Sequence, residues 1–95
     1  MNLKKIIKQA GLYVEEFGDL CGVSRISVYA WMKGKPINEL RQARVEAIAS
    51  AVEAATEAGD LPIERPHTRK VDKAMATDRI KKIVIKHLKL IAAGR

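Results

Sequence analysis

The chain has one cysteine, Cys21, three prolines and four aromatic side chains, Tyr13, Phe17, Tyr29 and Trp31, among its 95 residues. A lone cysteine excludes an intramolecular disulfide and a cysteine-rich zinc module, and it suits a reducing cytoplasm. So few aromatics leave a thin core rich in alanine, valine and isoleucine, which oligomerisation would help. No apolar run approaches the roughly 20 residues that cross a bilayer. The Ile6-Ile7 pair ahead of Lys8 is too short for the hydrophobic region of a signal peptide. The expectation is a soluble, unexported, cytoplasmic protein.

Catalytic equipment is equally scarce. There is no glycine loop of the kind that cradles phosphate, and no pair of carboxylates in an active-site setting. His67 and His87 are far apart and lack companion ligands, so neither a metal nor a cofactor is expected. His87 falls on the apolar face of the final helical pattern, as a packed histidine does. Cys21 takes an inward helical position with no histidine signature for nucleophilic catalysis. A chain of this length is most simply one domain with an appendage, and the expectation is that it is not an enzyme.

The net charge of +7 is distributed unevenly. Residues 1 to 63 carry eight basic and eight acidic side chains, whereas residues 64 to 95 carry ten basic and three acidic ones and so hold the whole excess. A basic arm or helix following a recognition module has this asymmetry, and it places the general attraction for DNA in the tail.

The most informative segment runs from Val14 to Lys33. Val14, Phe17 and Cys21 fall on one helical face, Gly22 suits a left-handed turn, and Val23 plugs the corner. A second helix starts at Ser24, whose hydroxyl can cap it. In that helix Val28 and Trp31 face inward, while Arg25, Ile26, Ser27, Tyr29 and Ala30 are outward or flanking. This is the spacing of a helix-turn-helix, whose outward face fits a DNA major groove.

The run Phe17-Gly18-x-x-Cys21-Gly22-Val23-Ser24-Arg25-x-Ser27-Val28-Tyr29-x-Trp31, followed by Lys33-Gly34-Lys35, resembles the DNA-binding domain of phage Cro and repressor proteins. The resemblance covers Leu3 to about Leu40, and nothing after about Gly59 belongs to it. Two positions depart from the family pattern. Val14 stands where many members carry a glutamine that bonds a phosphate and braces a neighbouring base contact. Gly18 stands where alanine is usual, at a helix-propensity cost of roughly 1 kcal/mol.

The resemblance implies roles for particular residues. The positions that reach base edges fall on Arg25, Ile26, Tyr29 and Ala30, with Ser24 and Ser27 near the backbone or bases. Arg25 leads, because a guanidinium can bond both O6 and N7 of guanine, while Ile26 and Ala30 suit a thymine methyl. Tyr29 either contacts DNA or shields the turn. Lys33 and Lys35 either contact phosphates or solvate the turn that contains them.

Around the motif, Leu3, Ile6, Ile7 and Ala10 form the stripe of a first helix opposite Lys4, Lys5 and Lys8, and Gly11 ends it. Tyr13 lies ahead of the second helix. Glu15, Glu16 and Asp19 are expected to face solvent or pair with nearby bases; as acids they would repel phosphate, so their surface should point away from DNA. A fourth helix starts near Pro36 or Asn38, with a closely packing face formed by Leu40, Ala43, Ala47, Ile48, Ala51, Val52, Ala54, Ala55 and Ala58. Gly59-Asp60-Leu61-Pro62 stops it, and Pro66 extends the connector to about Thr68. Ile80, Ile83, Val84, His87, Leu88 and Ile91 then keep helical spacing without a miss. Thr77 or Asp78 suits a cap, while Val71, Ala74 and Met75 suit a continuous helix from about Arg69. Ile83 to Leu90 is also good strand material, and some Cro proteins end in a dimerising strand; the sustained periodicity favours helix.

The expected fold is therefore all-α: a helix-turn-helix bundle of about four helices over residues 1–58, a linker over 59–68, and a basic amphipathic helix over 69–95. That last helix serves dimerisation or DNA-backbone contact, packs on its own domain, or meets an anionic membrane surface, the first uses being favoured; Lys81, Lys82, Lys86 and Lys89 are left to track phosphate or to keep it soluble. The expected function is sequence-specific binding of double-stranded DNA by a homodimer at a palindromic operator. The alternative is a DNA-binding antitoxin or recombination accessory protein whose C-terminal helix binds a protein partner.

Overall fold

The computed structural model describes residues 2–65 and 70–94 and contains five helices. The end of the expected connector, with Pro66, His67, Thr68 and Arg69, lies outside the described residues. Helix α1 (Leu3–Gln9) starts where the Asn2 side chain accepts the Lys5 backbone N–H at 3.1 Å, and it buries Leu3, Ile6 and Ile7 as its apolar spacing requires. Gly11 ends the turn at φ +67°, and a Cβ there would come within 2.8 Å of the Pro62 Cβ. The connector thus closes over a position that only glycine fills.

Helices α2 (Val14–Cys21) and α3 (Arg25–Met32) form the expected helix-turn-helix. Gly22 takes the left-handed conformation at φ +76°, and Val23 donates its N–H back to the Gly18 carbonyl at 2.9 Å. Val23 is half-buried against the core. Ser24 caps α3, its hydroxyl accepting the Ser27 N–H at 3.5 Å. Phe17 and Val28 are fully enclosed and hold the two helices to the rest.

Helix α4 (Glu39–Glu57) is capped by Asn38, whose side chain accepts the Leu40 N–H at 2.9 Å. Its buried face is Val45, Ile48, Ala49, Ala51, Val52 and Ala55, which differs from the expected one. Leu40 is 92 % exposed, Ala43 and Ala58 are exposed, and Ala47 and Ala54 are half-buried. At about 100° per residue, Ala43 and Ala54 fall on the far side from Ile48 and Val52. The bulky Val45, Ile48 and Val52 set the buried sector because they remove more apolar surface from water than alanines do.

Helix α5 runs without a break from Lys70 to Ala93. Thr77 and Asp78 lie inside it and cap nothing, and the strand alternative for Ile83 to Leu90 does not hold. Ala76, Ile80, Val84 and His87 are buried, with Ile83, Leu88 and Ile91 packed at the edge. This stripe lies mainly on α4 and also touches α2. One apolar cluster therefore joins all five helices and includes Leu61 from the connector.

Candidate nucleic-acid interface

Helix α3 turns Val28 completely inward, which by helical spacing forces Arg25, Ile26 and Tyr29 outward. Ile26 is 74 % exposed, and Tyr29 is also exposed. Ala30 and Ser27 are half-buried between these faces, and Ser24 is exposed. Lys33 and Lys35 follow on the surface, with Gly34 at φ +104° and Lys35 donating its N–H to the Ala30 carbonyl at 3.0 Å. The eight residues singled out from the sequence are thus gathered on one short helix, its N-cap and the turn beyond it. An exposed isoleucine and tyrosine beside an arginine form a surface suited to base edges and methyl groups.

Arg25 is not free in this arrangement. Its Nη1 donates to Glu15 Oε1 at 2.8 Å, with both side chains well exposed. Two of the three acids of α2, Glu15 and Asp19, are exposed and paired with basic side chains, as one of the two expectations had it. Glu15 lies against α3, and Asp19 accepts Lys81 Nζ from α5 at 3.2 Å. Glu16, expected at the surface or beside nearby bases, is buried and paired with Arg65.

The Arg65 site is dense. Its Nε and Nη2 donate to the Gly11 carbonyl at 3.2 and 2.8 Å, Nη1 donates to Glu16 Oε2 at 3.1 Å, and Nη2 also bonds Glu16 Oε1. The guanidinium lies 3.9 Å from the centroid of the Tyr13 ring, within cation–π range. Glu16 in turn accepts the Tyr13 backbone N–H at 2.7 Å, closing the first turn of α2. Burial alone would push the Glu16 carboxyl up; the bonds from Arg65, Tyr13 and Thr77 and the Arg65 charge outweigh it and hold the carboxyl below its ordinary value. The connector is therefore fastened to the start of α2 through residue 65. Only a bare charge complement, one arginine and three acids far apart in sequence, could have signalled this pair.

Two further arginines escaped sequence reasoning. Arg44 Nη2 donates to the Leu20 carbonyl at 3.2 Å, and Arg41 Nη1 donates to the Gly22 carbonyl at 3.3 Å. Both satisfy carbonyls at the C-terminal end of α2, where a cation is favoured. Burial pushes the Cys21 thiol up to about 11, against the opposing charge of Arg44. His87 is buried and its Nε2 lies 2.7 Å from Asp60 Oδ2, a bond that holds the Asp60 carboxyl below its ordinary range. Among the described residues no cluster of His, Cys, Asp and Glu is placed to hold a metal, and no helix is long and apolar enough to cross a membrane.

No family model, curated protein or solved structure matches this chain.

Proposed function

We propose that the chain is a sequence-specific double-stranded DNA-binding regulator of the Cro and repressor type, without enzymatic activity, acting in the cytoplasm on an operator as a homodimer. The observation that supports this most is the outward face of α3. A two-turn helix with its inner residue fully enclosed presents Arg25, Ile26 and Tyr29 to solvent, followed by Lys33 and Lys35. Arg25 reads guanine, Ile26 and Ala30 meet thymine methyls, and Tyr29 contacts a base or phosphate. Ser24, Ser27, Lys33 and Lys35 fix the register on the backbone. Occupancy of the operator excludes polymerase or a competing regulator; activation by touching polymerase fits the same surface equally well. Two subunits then read half-sites about 34 Å apart, one turn of DNA.

Selection of bound duplexes from random DNA tests this reading. A palindromic consensus is the expected result; recovery of no consensus would remove the regulator assignment. Arg25→Ala should cost about 1–3 kcal/mol on the selected site and relax one base pair.

One observation favours a second reading, a DNA-binding antitoxin or recombination accessory protein. Met75, Ile85 and Leu90 remain exposed on the outer side of α5, although its inner stripe is already covered. Ile85 and Leu90 offer a protein partner, or a second subunit, an apolar surface next to Lys82, Lys86 and Lys89.

A further inference from the structure

The contact between Glu15 and Arg25 places a negative charge directly on the residue that leads the proposed recognition face. An acid beside a phosphate-rich ligand weakens binding, so a simple DNA-binding surface has no use for one there. Its geometry suggests a use. Glu15 Oε1 engages only Nη1 of the guanidinium. Among the described residues nothing accepts from the Nε and Nη2 edge, two parallel donors suited to a planar two-acceptor partner.

We propose that Glu15 is the specificity-determining positioning residue of the recognition helix, holding Arg25 so that its open edge reads guanine and not phosphate. The inference rests on the reading of α3 as a base reader. Arg25 is the first residue of α3, long and 63 % exposed, and Glu15 is 65 % exposed. Without a tether, such a side chain pairs with the nearest phosphate on any sequence, because phosphates outnumber guanine edges and carry full charge. The carboxylate restricts its rotamers from one side and supplies the charge it would otherwise seek. On a guanine, O6 and N7 accept the free edge and the pair with Glu15 stays intact. At any other base those two acceptors are missing. The cost of holding a carboxylate close to the duplex then goes uncompensated, so discrimination rises as general affinity falls. A pair this exposed contributes little to folding; its effect lies in binding.

The neighbouring acids support this assignment. Glu16 is enclosed by Arg65, and Asp19 is matched by Lys81 from α5. Glu15 alone among the three acids of α2 is paired with a residue of α3.

The test uses the full chain and its Glu15→Gln, Arg25→Ala and doubly substituted variants, each selected against a random duplex library and then titrated with the selected duplex and a scrambled one at several salt concentrations. Glu15→Gln should bind the scrambled duplex several-fold more tightly and lose on the order of tenfold discrimination at the same base pair that Arg25→Ala relaxes. The double variant should lose no more discrimination there than Arg25→Ala alone. If Glu15→Gln tightened both duplexes equally, the carboxylate would be a bystander that only repels DNA, and the proposal would be overturned. A changed preference at a different base pair would overturn it too, by making Glu15 a reader in its own right. If instead the unsubstituted chain selected no sequence, or Arg25→Ala left every preference intact, the underlying recognition face would fail, an outcome separate from either.

Discussion

Gly18 is required by contact distance. A Cβ there would lie 2.8 Å from the Val23 carbonyl oxygen, a backbone atom fixed by the turn. The turn therefore approaches α2 more closely than an alanine side chain at position 18 would allow. Gly18→Ala should lower the melting temperature: a helix-propensity gain of about 1 kcal/mol is exceeded by the strain of moving a turn, typically about 1–3 kcal/mol. Thermal denaturation followed by circular dichroism measures the difference, and a rise would show that the turn yields easily.

Glu16 and Arg65 give the molecule its clearest pH dependence. The Glu16 carboxyl is held below its ordinary value of 4.5 in the folded chain, so its contribution is present in full above 4.5 and is lost as pH falls through the lower folded value. Arg65→Met leaves the carboxylate buried without its guanidinium and should cost about 3–5 kcal/mol near neutrality. Burial then acts with less opposition, the folded pKa rises, and stability falls less steeply as the pH drops below 4.5. Denaturant titrations across that range distinguish the two profiles. Adding Glu16→Leu should recover part of the loss, since an uncompensated buried charge costs more than an apolar replacement.

At the scale of elements, α5 has a buried face and an exposed one. Its inner stripe belongs to the same core as the helix-turn-helix, with Ile80 and Val84 enclosed against α4. Ile80→Ala should therefore destabilise the whole fold by about 2–5 kcal/mol, seen as a single cooperative transition at lower temperature. Ile85→Glu with Leu90→Glu, on the exposed face, should leave that transition nearly in place and reduce the mass in sedimentation if a second subunit covers this surface. An unchanged mass would show that this face does not join two subunits. The inner stripe was legible because the period of 3.6 over Ile80 to Ile91 is a local property. The face of α4 was less so, because alanines surround that helix and only Val45, Ile48 and Val52 mark its buried side.

For the molecule as a whole, the basic excess of residues 64 to 95 is less available than its total suggests. Lys81 is matched by Asp19 and Lys82 by Asp78, and Arg65 is consumed by Glu16. Lys86 and Lys89 make no ion pair among the described residues. If the chain binds DNA as proposed, Lys35→Ala should weaken binding to all sequences and lower the salt slope by about one. Lys86→Ala with Lys89→Ala should do the same only if α5 reaches the duplex. Fluorescence anisotropy over a salt series measures both slopes.

The sequence by itself determined the helices, the cap at Ser24 and the turn at Gly22, because spacing, a capping hydroxyl and glycine conformation act within a few residues. It also determined that Val28 faces inward and Arg25, Ile26 and Tyr29 outward. Only the tertiary structure decided that Glu16 is buried on Arg65, 49 residues away, that Arg41 and Arg44 pin the end of α2, and that Glu15 holds Arg25. Many pairings of these charges are compatible with the local pattern. The choice among them depends on which surfaces packing brings within hydrogen-bond distance, and that is set by the core shared by all five helices.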